Sequence, residues 1–184
     1  RMKYIFRWGL MRNTDSENIQ EHSLQVAILA HALAVIHNQL CGSEELSPDR
    51  ACVYAVFHDA GEIITGDLPT PVKYYNPVIR ENYQAIEAVA KEKLLSMLPA
   101  ELDAVYRRIL FYEQEDAQYY PIVKAADKLS AYIKCAEEVK AGNREFVKAM
   151  ESTLEALRTS ELPEVAYFMR HYMEAYNKTL DEMN

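Results

Sequence analysis

NIQEHSLQVAILAHALAVIHNQL, residues 18–40, places Ile19, His22, Val26, Leu29, Leu33, Ile36 and Leu40 at alternating steps of three and four residues. That spacing puts them all on one face of one α-helix. A face this continuous needs other helices to pack against, and the rest of the chain supplies them. Only five glycines occur, and strand-like alternation is absent. Pro48, Pro77, Pro99, Pro121 and Pro163 fall where the first turn of a helix tolerates a missing N–H. The sequence predicts helices over 18–40, 48–58, 77–98, 99–112, 119–141, 144–158 and 163–182. The expected fold is a single all-α domain over residues 1–184, a bundle of about six to eight helices.

One stretch departs from this pattern. Gly61, Gly66, Pro69 and Pro71 crowd into the short segment after Asp59, which predicts a rigid, irregular loop able to wall a pocket. The loop begins beside His58-Asp59, at the end of the apolar run Ala51-Cys52-Val53-Tyr54-Ala55-Val56-Phe57. A histidine within a buried stripe must satisfy both ring nitrogens away from water. His22 does so either through a carbonyl, as core histidines commonly do, or through a metal on one nitrogen and a hydrogen bond on the other. Asp59 and Asp127, the latter inside Ile122-Val123-Lys124-Ala125-Ala126-Asp127-Lys128-Leu129, raise the same question, because a buried carboxylate without a partner is costly. Two imidazoles and two carboxylates together suit one divalent transition metal, with cobalt, manganese, zinc and iron equally compatible.

His22, then His58-Asp59, then the distant Asp127 resembles the pattern of the HD superfamily of metal-dependent phosphohydrolases. The ordered set Arg7-Trp8, Glu21-His22-Ser23-Leu24-Gln25-Val26-Ala27, His58-Asp59-Ala60-Gly61-Glu62 and Thr65-Gly66-Asp67-Leu68-Pro69-Thr70-Pro71-Val72-Lys73-Tyr74 looks like that of the YfbR-type 5'-deoxynucleotidases. The likeness continues through Lys124-Ala125-Ala126-Asp127 and Cys135-Ala136-Glu137-Glu138. It spans a motif core of about 4–145, followed by a helical tail at about 146–184.

The resemblance implies a phosphoric monoester hydrolase that converts deoxyribonucleoside 5'-monophosphates to deoxynucleosides and phosphate. It implies His22, His58, Asp59 and Asp127 as metal ligands, with His22, Asp59 and Asp127 also near the substrate. Glu62, one turn past His58 and Asp59, becomes the group that takes a proton from water acidified by the cation. Arg7 offers a fork for two phosphate oxygens and stabilises charge in the transition state. Trp8 is either a packing residue or a wall that leaves no room for a 2'-hydroxyl. Asp67 either accepts the sugar 3'-hydroxyl, protonates the leaving 5'-oxygen or simply closes a turn after Gly66. Leu68, Pro69 and Thr70 complete the expected substrate loop, and Lys73 and Lys124 are either nearby cations or surface lysines. Two alternatives stand beside this reading: a related enzyme acting on a cyclic nucleotide, a triphosphate or an alarmone, and an inactive nucleotide-sensing module.

Bulk properties bound the rest. A net charge of -8 argues against a partner such as polymeric nucleic acid or a membrane surface. Cys41, Cys52 and Cys135 are odd in number and lack ligand spacing, so neither a disulfide framework nor a thiolate zinc site is expected. No run approaches a membrane span, and the segment before Arg7 is too short for a signal peptide. These features predict a cytoplasmic protein, and the family likeness implies a homodimer. Val165, Phe168, Met169 and Tyr172 in the tail are expected to pack on the core or on a second subunit, and the charged 137–158 region to form a solvated helical face.

Overall fold

Asn18 accepts hydrogen bonds from the Gln20 and Glu21 amides at the start of α1 (Ile19–Leu40), satisfying donors that a helix end leaves open. Ser47 does the same for the Arg50 amide ahead of α2 (Pro48–Phe57). The chain then makes two single turns, α3 (Glu62–Thr65) and α4 (Thr70–Lys73), before α5 (Pro77–Leu95), which Asn76 caps through the Ile79 amide. α6 (Ala100–Phe111), α7 (Tyr119–Lys140), α8 (Val147–Arg158) and α9 (Pro163–His171) complete the order. The computed structural model describes residues 1–40, 45–73, 75–112 and 116–183. Cys41 and Tyr74, noted above, lie outside the described residues. Among these residues there is no strand, only one isolated antiparallel bridge between Phe6 and Asn18.

α1 is the central helix. Ile19, His22, Val26, Leu29, Leu33 and Ile36 are buried as their spacing predicts, whereas Leu40, the last of the series, is 55% exposed. Against this stripe pack Ala51, Tyr54 and Ala55 of α2, Ile122, Val123, Ala126, Leu129 and Ile133 of α7, and Val165 and Phe168 of α9. By length and composition α1 is apolar enough to cross a membrane, so the chain does contain such a run. Its buried stripe makes it the core helix of this bundle. A second apolar cluster of Ala60, Leu95 and Leu110 joins α5 and α6 to the end of α2.

Two expectations change. The helix expected over 163–182 ends at His171, where Tyr172 turns to φ -119° and the chain continues as 3-10 turns at Met173–Asn177 and Leu180–Met183. Beyond Phe168 there is little left to bury, with Tyr172 46% and Leu180 77% exposed, and a helix without a buried face is marginal in water. The loop after Asp59 is more ordered than predicted. It holds α3 and α4, separated by Gly66 at φ 73°, a left-handed conformation that favours glycine.

Candidate metal centre

His22 stands in the second turn of α1, His58 and Asp59 just past the end of α2, and Asp127 near the middle of α7. Packing of the three helices brings ligand atoms of His22, His58 and Asp127 within 4.8 Å of one another. His22 Nε2 lies 3.2 Å from Asp127 Oδ1 and 3.5 Å from Asp59 Oδ2, and His58 Nε2 lies 3.0 Å from Asp59 Oδ2. Asp59 thus lies beside both ring nitrogens, although the three ligand atoms that are all mutually close are those of His22, His58 and Asp127.

The other nitrogen of each ring decides what these can do. His58 Nδ1 is 2.6 Å from the Ala55 carbonyl, which can only accept, so Nδ1 carries the proton. His22 Nδ1 is 3.0 Å from Ser130 Oγ, and Ser130 donates its own proton to Gln25 Oε1 at 2.6 Å. The serine must therefore accept from His22. Both imidazoles are held in the tautomer with a lone pair on Nε2, and neither Nε2 has a hydrogen bond of good geometry. Two buried lone pairs aimed at two carboxylates fit a divalent cation.

The charges agree. Burial, and then the charge of Arg7, lower the pKa of His22, keeping it neutral. Burial would raise Asp59 and Asp127, but both are held below the usual carboxylate range by positive charge and a proton at the facing His58 and His22 nitrogens, the place a bound cation would take. Glu62, 4% exposed, moves the opposite way: burial and then the charge of Asp59 push it up to about 8. Its Oε1 accepts from Lys73 Nζ at 3.0 Å, while Oε2 has no partner. A carboxyl poised near neutral pH beside a metal site suits proton transfer.

Arg7 reaches the cluster through the bridge at Phe6 and Asn18, where its amide donates to the Glu17 carbonyl. Its guanidinium lies 2.9 Å from Glu17 and 3.7 Å from Asp59 Oδ2. Trp8, at φ 59°, donates Nε1 to the same Glu17 carboxylate at 3.3 Å and leans on Phe146 with ring centroids 5.3 Å apart. Asp67 is tied to the site through Lys73, 3.8 Å away. Leu68, Pro69 and Thr70 share that loop but make no side-chain bond to the cluster among the described residues, and Thr70 is exposed. Lys73 is thus a site cation, and Lys124 Nζ stands 4.0 Å from Asp127.

A cleft of about 400 Å³ opens on the His58, Asp59 and Glu62 side, walled by Lys91, Tyr112 and Lys124. A slightly larger hollow of about 460 Å³ between α2 and α6 contains none of the ligands and has no evident part in this chemistry.

The arrangement can be set beside known proteins. The model of the YfbR-like 5'-deoxynucleotidases matches residues 1–176. The chain belongs to that family. The 5'-deoxynucleotidases of Photobacterium profundum and Vibrio cholerae are each 48% identical over 184 residues, covering the whole of this chain and 94% of theirs. Among solved structures, the HD-domain phosphohydrolase of Listeria innocua superposes with a TM-score of 0.80 at 22% identity, over 95% of this chain and 84% of that one. The cyanophage S-2L HD phosphohydrolase, solved with dA and one catalytic zinc ion, gives 0.64 at 24% identity over 97% and 94%. The YfbR-like fold here is accordingly an HD-domain bundle.

Sequence reasoning missed several residues on which this YfbR-like site depends. Ser130 lies three residues past Asp127 and Gln25 three past His22, so each shares its ligand's helix face, a spacing that would have revealed them. Glu138, expected on a solvated face, is 2% exposed. It accepts from the Thr14 and Asp15 amides and from Lys134 and Asn143, holding down the segment that follows Arg7 and Trp8.

Proposed function

We propose that this protein hydrolyses deoxyribonucleoside 5'-monophosphates to deoxynucleosides and phosphate, using one divalent cation held by His22, His58, Asp59 and Asp127. The observation that carries the reading is the pair of buried imidazoles, each fixed at Nδ1 and open at Nε2, facing carboxylates beside a buried Glu62 whose Oε2 has no partner. When bound, the cation supplies Lewis acidity toward water and phosphate. The metal is one of cobalt, manganese, zinc or iron.

The chain's own residues do the rest. Glu62 takes a proton from the attacking water on its unpartnered Oε2, while Lys73 steadies Oε1. Two carboxylate ligands offset the charge of a divalent ion, so a phosphate dianion needs a further cation, and Arg7 provides it, oriented by Glu17. Trp8 packs against the sugar and leaves a 2'-hydroxyl no space. Asp67, with Leu68, Pro69 and Thr70, receives the sugar and its 3'-hydroxyl.

The family likeness extends the reading to a homodimer, and the net charge of -8 and the sequence features above extend it to a cytoplasmic protein that takes no polymeric nucleic acid and no membrane as partner. Val165 and Phe168 are buried within the chain, so of the tail residues named above only Met169 and Tyr172 are left to contribute to a shared surface. Phosphate release from deoxy- and ribonucleoside 5'-monophosphates, across several divalent metals, tests the activity. Release favouring the deoxy substrates is expected, and no release with any metal would overturn the proposal.

A further inference from the structure

Most cations near the metal ligands are already paired. Arg7 is engaged by Glu17 and Asp59, and Lys73 by Glu62 and Asp67. Lys91 is different. It comes from α5, whose packing onto Gly61 is close: a β-carbon on Gly61 would stand 3.6 Å from Lys91 Cγ. The stem is therefore laid against the backbone just past His58-Asp59, and the ammonium lies over the Phe111 ring at 5.6 Å. Among the described residues it makes no ion pair. Across the same cleft Lys124, from α7, approaches Asp127.

Tyr112 completes this wall. It ends α6 in the left-handed region at φ 52°, a conformation an aromatic residue adopts only when its surroundings impose it. The ring is stacked on Tyr54 at 4.9 Å and edge-on to Tyr120 at 5.4 Å. Burial, and then the charges of Asp59 and other neighbours, raise its pKa, so the phenol stays a hydrogen-bond donor.

Resting on the nucleotidase reading, we propose that Lys91, Lys124 and the Tyr112 hydroxyl form a phosphate-binding wall beside the metal ligands, with Lys91 a substrate-binding residue that recognises the phosphoryl group. Two ammonium groups and a phenol donor facing one cleft match the oxygens of a phosphate dianion. Burial depresses the pKa of Lys91, with Lys124 adding to it and the charges of Glu87 and Asp59, which share the cleft, opposing it. The wall reads the phosphate and is indifferent to base and sugar.

Calorimetric titration of the manganese-loaded protein with inorganic phosphate, and separately with thymidine, tests this. Lys91→Met keeps the apolar stem and is expected to weaken phosphate binding on the order of tenfold or more, the scale of a charge-assisted hydrogen bond. Thymidine affinity and metal content should not change, and Lys91→Arg should restore most of the phosphate affinity. In turnover the loss should appear mainly in KM. Phosphate affinity within about twofold of wild type in Lys91→Met, ordinary scatter for an uninvolved site, would overturn the proposal. So would equal weakening of phosphate and thymidine, which marks a packing role, or no phosphate binding by the wild type. Failure to hydrolyse any deoxynucleotide would remove the nucleotidase reading and leave the phosphate titration to judge Lys91 by itself.

Discussion

Ser130 has one proton and places it on Gln25, leaving only its lone pairs for His22. That single choice fixes which nitrogen of a fully buried imidazole faces the cluster. Ser130→Ala should therefore leave the fold intact but weaken metal affinity by roughly 10- to 100-fold, the usual effect of losing a ligand's supporting partner. Metal titration checks it, and an unchanged affinity would free His22 from that dependence. Glu62 gives a second residue-scale test. Glu62→Gln should retain metal while turnover falls about a hundredfold or more. The pH sign follows from its pKa, about 8 against an ordinary 4.5. The folded chain binds the extra proton between these values, so its contribution to stability is full below about 4.5 and is lost as pH rises through about 8. Chelated wild-type protein should thus lose stability over that interval, and Glu62→Gln should lose less.

At the scale of elements, the segment carrying Arg7 and Trp8 owes its position to α7. Glu138 bonds the Thr14 and Asp15 amides, and Asn143 bonds the Arg12 carbonyl. Removing the carboxylate leaves Lys134, 6% exposed, without its buried partner. Glu138→Ala should cost about 3–5 kcal/mol of stability in denaturant unfolding. Burial would raise the Glu138 pKa, but Lys134 and the backbone amides lower it to about 2. Its stabilisation is therefore present above about 4.5 and fades as pH falls toward about 2. Trp8 sits on the same segment, braced by Glu17 and Phe146. Trp8→Ala should raise ribonucleotide turnover relative to deoxynucleotide turnover by roughly ten- to a hundredfold, and an unchanged ratio would move sugar selection to Asp67. α1 was legible beforehand because one face is buried along most of its length and its period shows in a single chain. The break at Tyr172 was not, because the tail's apolar residues look periodic although little is left for them to cover.

For the whole molecule, the four proposed metal ligands stood out in the sequence because each is a polar group in an apolar helical setting. Ser130, Glu138 and Lys91 looked ordinary because their roles arise across helices: α1 against α7, α7 against the N-terminal segment, α5 against the turn at Gly61. The same logic affects the homodimer, since Phe168 reads as a surface patch in one helix and is 4% exposed once α9 meets α1. Light scattering should still give the mass of two chains, and a mass near one chain would remove the dimer. The net charge of -8 disfavours polyanions, and on the proposed reading the local cations admit a small nucleotide. The most direct check is phosphate release from a deoxyribonucleoside 5'-monophosphate as metal is titrated into chelated protein. Release should be negligible at the start, rise with added metal to a plateau at one equivalent per chain, and stay absent when His58 and Asp59 are both replaced. Undiminished release from the chelated protein, or from that double variant, would contradict the assignment.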